Sequence, residues 1–211
     1  MIYLYSIIIG YLLGSVNPCY IFGRLHGLDM RKEGTGNCGA SNAKVVLGWK
    51  YFFMCTAYDV SKCALAMFLV QYLLKGAELP SVTAGCAAIM GHCFPFYLGF
   101  KGGKGFASLI GLSAFMTIPG TLILLALGIS GSFLTNYIVF GTLTFIVGVP
   151  LYLYFFTTAS SSAVLAVTVI CIIMLFKHRI NLVRFLRKQE IGINGDPVGI
   201  KLLKDTESES A

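Results

Sequence analysis

Apolar residues in this chain come in long unbroken runs separated by short basic clusters. Runs at about 2–23, 51–74 and 80–98 are each close to the roughly 20 residues that a helix needs to cross a bilayer. A further tract, 106–176, holds 71 residues without one Lys, Arg, Asp, Glu or His. The basic clusters between them are 24–50 (Arg24, Arg31, Lys32, Lys44, Lys50), 99–105 (Lys101, Lys104) and 177–188 (Lys177, Arg179, Arg184, Arg187, Lys188). Positive loops stay on the cytoplasmic side, so all three are expected there, with the weakly charged 75–79 connection and the N-terminus outside. Two cytoplasmic ends require an even number of crossings over 106–176. Breaks near Pro119 and Gly120, at 128–131, at Pro150 and at 157–162 favour four short helices over two long ones. The pattern predicts an all-α integral membrane protein of about seven transmembrane helices, some short, with the N-terminus outside and the C-terminus cytoplasmic. Residues 1–191 form the membrane-embedded part. The tail at 192–211, containing Gly195-Asp196-Pro197 and ending DTESESA, reads as a soluble mobile segment without a chemical role. The first run lacks a basic leader and a small-residue cleavage site, and reads as a retained helix.

Composition supports that picture. Of 211 residues, 56% are hydrophobic and 12% charged, against about a quarter charged in soluble domains. The net charge of +7 sits in the loops, as expected for loops facing anionic lipid. The aromatic residues lie in the apolar runs rather than among the basic residues, which argues against nucleic acid. Seven cysteines (19, 38, 55, 63, 86, 93, 171) are scattered without a CxxC pair. They suggest buried small hydrophobes rather than a disulfide framework or a zinc site.

The stretch 92–105, HCFPFYLGFKGGKG, is the strongest chemical signal. Gly102, Gly103 and Gly105 let the backbone turn N–H groups toward one point, and Lys101 and Lys104 add cations there, which together describe an anion site. It is not a Walker A loop: Gly99 and Gly103 enclose three residues where four are needed, and Gly105 follows Lys104 where Ser or Thr is needed. The first basic loop carries GTGNCGASN at 34–42, a second glycine-rich turn, with Thr35, Asn37, Ser41 and Asn42 supplying hydroxyls and amides. Its GxGxxG spacing lies between membrane helices rather than between a strand and a helix, so a dinucleotide site is rejected.

Asp59 and Lys62, three apart in an apolar helix, share a face. They form either a mutual ion pair that locks helix packing, or an arrangement in which Lys62 reaches the anion site and Asp59 holds it. His92 is either a packing residue or a catalyst, and Ser15, Asn17 and Pro18 either satisfy a break in the first helix or line the site. Farther along, His178, Asn181 and Arg184 make a polar stripe at a spacing of three, suited to phosphate binding or proton transfer, or to contact with anionic headgroups. Glu190 is placed to pair with Arg187 or with the first loop.

These residues resemble the bacterial acyl-phosphate-dependent glycerol-3-phosphate acyltransferases, the PlsY family. The resemblance runs over GSVNP (14–18), IFGRLHGLDMRKEGTGNCGASN (21–42), LGWK (47–50), DVSK (59–62), GHCFPFYLGFKGGKG (91–105), HRINLVR (178–184) and Glu190. It implies seven helices in the bacterial inner membrane, with the three motifs facing the cytoplasm. The implied reaction moves a fatty acyl group from acyl phosphate to the 1-hydroxyl of glycerol 3-phosphate, giving lysophosphatidic acid and inorganic phosphate. No cofactor, metal, nucleic acid or obligate protein partner is implied. By position, Thr35 stands at the first-motif serine, Asn37 and Asn42 match directly, and Lys104 matches the glycine-loop lysine. His178 and Asn181 match the third motif, and the general base is either His178 or the donor's own phosphate. On the residue reading, Gly102, Gly103, Lys101, Lys62, His92 and Arg184 join the substrate-binding set, while Asp59 and Glu190 are structural.

The chain departs from the family where its first motif has an arginine: Val45 stands there, with only Lys44 beside it, and a lysine does not reproduce an arginine fork. Cys38 stands in place of a proline, and Lys188-Gln189 replace a Gly-Thr or Gly-Ser. These departures admit a paralogue with another phosphorylated acceptor or weak activity. A small-phosphate transporter, from a different class, would need access at mid-membrane from both faces, whereas the motifs cluster on one face and no inverted repeat is evident.

Overall fold

The structure is a computed structural model and describes residues 1–75 and 77–187. Among the described residues it is all helical: α1 (Ile2–Ser15), α2 (Pro18–Leu25), α3 (Ala40–Leu47), α4 (Trp49–Leu73), α5 (Glu78–Cys93), a 3₁₀ turn (Phe96–Leu98), α6 (Phe106–Met116), α7 (Ile118–Thr135), α8 (Ile138–Phe156) and α9 (Ser161–Leu186). Six stretches are long and apolar enough to cross a membrane: Ile2–Leu25, Trp49–Leu73, Glu78–Leu98, Ile118–Thr135, Ile138–Phe156 and Ser161–Arg184. Beside these six, α6 is a shorter apolar helix of eleven residues, about 16 Å long at 1.5 Å per residue. The expected count of about seven, some short, is the observed one.

α5 is the central element. Two thirds of its span is buried, against 22–39% for the other five. Lipid tails are as apolar as side chains, so helices in a bilayer gain by close backbone approach rather than by hiding from water. α1 meets α5 in that way: a Cβ on Gly10 or Gly14 would run into the carbonyls of Ala84 or Ala88. α6 approaches α4 similarly, with Gly111 against the Val60 carbonyl. The largest apolar cluster joins Met67 and Val70 of α4, Ile89 of α5, Leu109 and Leu112 of α6, Phe145 and Ile146 of α8, and Met174 of α9. Exposed aliphatic and aromatic side chains such as Leu122, Leu127, Phe133, Leu151 and Leu165 cover the outside, as a lipid-facing surface requires.

The four helices expected over 106–176 are present, but two of the four expected breaks are absent and one break falls at a new place. Those at Thr117 and near 157–160 fall where the sequence placed them. Gly128 does not break α7; it packs against the backbone of Gly141 in α8. Pro150 sits inside an uninterrupted α8, as neighbouring groups in a bundle permit. The remaining break is at Asn136, whose φ of 60° closes α7 in the left-handed conformation that Asn adopts more readily than most residues. Alternating helix directions bring the first basic loop, 99–105 and the end of α9 to one end of the bundle. At the other end the Glu78 carboxylate accepts the Ser160 N–H at 3.1 Å.

Candidate active site

The site is organised by two broken helices. α1 and α2 would be continuous but for Val16 and Asn17, both extended, followed by Pro18. Asn17 caps α2 through Oδ1, which accepts from Tyr20 N at 2.9 Å. Its Nδ2 reaches across the first basic loop to the Cys38 carbonyl at 2.9 Å. The Tyr97 hydroxyl donates to Ser15 O at 2.8 Å and accepts Asn17 N–H at 3.2 Å. Of the two readings of this polar set, satisfying freed backbone is what the geometry carries.

α5 ends before Pro95, which leaves its last carbonyls without helical partners. The glycine loop supplies them: Gly103 N–H donates to His92 O at 3.1 Å and Gly102 N–H to Cys93 O at 3.2 Å. Lys177, from α9, also donates to Cys93 O at 3.1 Å and lies over the Phe94 ring. This corrects the expectation that Gly102 and Gly103 turn their N–H groups toward an anion; those donors are committed to α5. What the loop offers instead is the N-terminus of α6, capped by Gly105 at φ 85°. The first N–H groups of a helix have no internal partners and favour an anion. Gly103 is needed for a different reason: a Cβ there would collide with His92 Nε2 and lie 2.9 Å from the Cys38 carbonyl.

The third motif meets this loop directly. Lys104 Nζ donates to Asn181 Oδ1, joining residues 77 apart in sequence. One turn earlier, the buried His178 donates Nδ1–H to the Met174 carbonyl at 2.8 Å. A carbonyl can only accept, so the neutral ring keeps its lone pair on Nε2. Lys101 is exposed at the loop, and Arg184 lies half-buried in the last turn of α9.

In the first loop, Asn42 is fully buried and acts as a staple. Its Oδ1 accepts Thr35 N–H at 2.7 Å and Thr35 Oγ1–H at 3.1 Å, and its Nδ2 donates to Met30 O and Glu33 O, both at 3.0 Å. Asn42 therefore shapes the turn that presents the exposed Thr35. The Asn37 carboxamide, half-buried, makes no hydrogen bond to the described residues and is open to a ligand. Arg31 forks onto Asp29, Nη2 to Oδ2 at 2.7 Å and Nε to Oδ1 at 2.9 Å, and extends Nη1 to Leu98 O at 3.5 Å, tying the first loop to the second. The same fork holds the Asp29 carboxyl well below the usual carboxylate range. Burial pushes the Cys38 thiol up to about 11, so the cysteine within the first motif is neutral at physiological pH and a poor nucleophile.

Lys62 does not reach outward. It lies with Asp59 and His92 in a buried cluster beneath the glycine loop. Val45 is half-exposed on α3 and faces Gly34, while Lys44 lies 4.0 Å from the centre of the Trp49 ring. Lys44 is thus turned away from the place of the missing arginine. Glu190 lies outside the described residues. Sequence reasoning left out Lys177 and Tyr97; the first was signalled only by its place beside His178, and the second by nothing local. Among the described residues, no cluster of three or more His, Cys, Asp or Glu could hold a metal ion.

Comparison with known proteins adds to this geometry. A family profile described as glycerol-3-phosphate acyltransferase matches residues 4–188. A glycerol-3-phosphate acyltransferase of Mesorhizobium japonicum is 38% identical over 194 residues, covering 90% of this chain and 96% of the relative. Glycerol-3-phosphate acyltransferase 1 of Oceanobacillus iheyensis is 32% identical over 200 residues, covering 90% and 94%. The crystal structure of PlsY (YgiH), an integral membrane glycerol 3-phosphate acyltransferase, in its glycerol 3-phosphate form superposes with a TM-score of 0.84 at 26% identity, covering 90% of this chain and 95% of that one. The lysophosphatidic acid form gives 0.82 at the same identity.

Proposed function

The chain belongs to the glycerol-3-phosphate acyltransferase family, and from that premise we propose that its acyl donor is an acyl phosphate. The product is then lysophosphatidic acid, released with inorganic phosphate at the cytoplasmic face of a bacterial inner membrane as a step of phospholipid synthesis. The 1-hydroxyl oxygen of glycerol 3-phosphate attacks the acyl carbonyl carbon, and the bond from that carbon to the phosphate oxygen breaks. The hydroxyl proton passes to His178 Nε2 or to the departing phosphate. A mixed anhydride has a good leaving group, so positioning and charge stabilisation suffice without a covalent enzyme intermediate.

The observation that carries this reading is the junction of Lys104 with Asn181 beside His178. It puts a cation, an amide and a ring lone pair at the N-terminus of α6, where both substrates' phosphates find positive partners. Thr35 and Asn37 supply polar contacts from the first loop, Lys101 and Arg184 add peripheral charge, and Gly102, Gly103 and Asn42 shape the backbone around the anions. Glu190 completes the third motif in a structural role. The clustering of basic regions at one end supports the cytoplasmic placement.

An apolar groove of about 570 Å³ lined by Leu12, Tyr20, Ile21, Leu25, Phe96 and Tyr97, with Arg24 among its walls, borders the Asn17–Tyr97 contact. It supports placing the donor's acyl chain there. Ile21→Trp should lower kcat/KM for palmitoyl phosphate about tenfold relative to octanoyl phosphate, a difference of a few methylenes' contact. Equal effects on both chain lengths would remove the groove from the reading.

The decisive assay is phosphate release by purified protein given palmitoyl phosphate, with and without glycerol 3-phosphate. Absence of acceptor-dependent release and of labelled lysophosphatidic acid would refute the proposal. Val45→Arg should raise kcat/KM for glycerol 3-phosphate about tenfold, the worth of one hydrogen bond to a charged group. A gain confined to a different phosphorylated acceptor would instead favour an altered acceptor preference, which the absence of that guanidinium makes the specific second reading.

A further inference from the structure

Lys62 Nζ has three acceptors at hydrogen-bond distance, one for each of its protons: Asp59 Oδ1 at 2.7 Å, Val16 O at 2.9 Å and His92 Nδ1 at 3.0 Å. Val16 O is available because Asn17 takes the Tyr20 N–H that would otherwise bond to it. An ammonium has no lone pair, so the bond to His92 requires Nδ1 to be the unprotonated ring nitrogen. The neutral imidazole then carries its proton on Nε2. In the other tautomer two donors would face each other at 3.0 Å, with one proton of the buried ammonium left unpaired. Asp59 Oδ1 lies 3.2 Å from the same Nδ1, so the other tautomer could donate there, but only by giving up the shorter, charge-assisted bond from the ammonium.

Nε2 has no hydrogen-bond partner among the described residues, although His92 is only 3% exposed. Nor is it sealed: among the described residues, the sealed side-chain atoms without a partner are Thr56 Oγ1 and Ser108 Oγ. Nε2 abuts Gly103, taking up the space that a Cβ there would fill, with the Cys38 carbonyl on the other side. An ion pair that merely locks α4 against α5 would account for Asp59 and Lys62, but not for a ring nitrogen left without a partner against the glycine loop.

We propose that His92 is a substrate-contacting residue, donating Nε2–H beside Gly103 to a phosphoryl oxygen of an anion held at the N-terminus of α6. Lys62 and Asp59 are its positioning residues: Lys62 sets the tautomer and Asp59 holds Lys62. The inference rests on the reading above that this loop takes a substrate phosphate. It gives a chemical reason for a glycine at 103 and for a buried lysine beneath the site.

The test uses [15N]histidine-labelled full-length protein in micelles, titrated with inorganic phosphate, with His92 assigned by elimination as the signals that remain when His26→Gln and His178→Gln remove those of the other two histidines. The expected spectrum shows His92 protonated on Nε2 and bare on Nδ1, with the Nε2–H resonance moving saturably as phosphate is added. Lys62→Met should abolish the tautomer preference. In kinetics, His92→Leu should lower kcat/KM for glycerol 3-phosphate about 10- to 100-fold, the range for a hydrogen bond to a charged group. His92→Gln, whose amide nitrogen can take the place of Nε2, should recover most of that loss. A proton on Nδ1, or an Nε2–H unmoved at phosphate concentrations that inhibit the enzyme, overturns the proposal even where both variants fail to fold, as does equal loss in the folded Gln and Leu variants. The wild-type release assay is separate: its failure would remove the acyl-phosphate reaction, while the phosphate-dependent shift of Nε2–H would still stand or fall on the spectrum.

Discussion

Lys104→Ala is expected to lower kcat/KM for acyl transfer about 10²- to 10³-fold, the loss seen when one preorganised charge-stabilising donor is removed. The ammonium sits on the glycine loop and is held by Asn181, so its position is set before substrate arrives and none of its electrostatic benefit is spent on reorganisation. In the reaction proposed above, its charge offsets the negative charge that builds on the carbonyl oxygen and the leaving phosphate. Lys104→Arg should recover part of the loss, since the charge is kept while the point-like ammonium becomes a planar fork. Thermal unfolding in detergent should move little in either variant, because Lys104 lies outside the apolar core. A loss below about threefold in Lys104→Ala would remove this residue from the catalytic set, given the range expected of such a donor.

Gly103→Ala should be nearly as damaging by another route. A Cβ at 103 meets His92 Nε2 inside van der Waals contact and the Cys38 carbonyl oxygen at 2.9 Å. Neither is the loose end of a flexible chain: His92 is held by Lys62, and Cys38 O by Asn17 Nδ2. Something must shift, and overpacking of this kind costs about 1–3 kcal/mol. The shift would part the two loops that share the site, so activity should fall at least about 30-fold, in line with the sensitivity of rates to misplacement near 1 Å. Gly99→Ala is the informative control. Its φ of 62° strains an alanine, but a Cβ would meet nothing within 4 Å, so it should cost about 1 kcal/mol, the ordinary left-handed penalty, and leave the rate nearly unchanged. Native stability and rate in Gly103→Ala would show that the loops are not packed as described.

Much of the architecture was legible because it rests on per-segment energies. The runs at 2–23, 51–74 and 80–98 became α1 with α2, α4 and α5 with little shift, since an apolar stretch of that length is read by the bilayer one residue at a time. The three basic regions gathered at one end of the bundle for the same reason: charge belongs to a loop whatever that loop touches. The errors fell where a residue's meaning depends on a neighbour. Gly128 looked like a breaker and became a contact for Gly141, Pro150 was absorbed within α8, and Asn136 closed α7 without any Gly or Pro to announce it.

The site divides along the same line. The residue types were identifiable in sequence order: two glycine turns, Lys104, His178 and Asn181, and a lysine and aspartate three apart in a membrane helix. Their hydrogen bonds were not. Gly102 and Gly103 looked like open donors, yet their N–H groups close the end of α5. Asn42 looked like a ligand contact and instead holds the turn around Thr35. Lys62 was open to two readings, and only the convergence of Val16, Asp59 and His92 on one ammonium chose between them.

By itself, the sequence determined that this is a helical membrane protein with its basic and glycine-rich loops at one end, because hydrophobic transfer and charge placement are local properties that add along the chain. The tertiary structure alone decided which polar group pairs with which. In a low-dielectric interior an unpaired donor is costly, and the pairing is decided by distance in space, between residues as far as 84 apart in the chain.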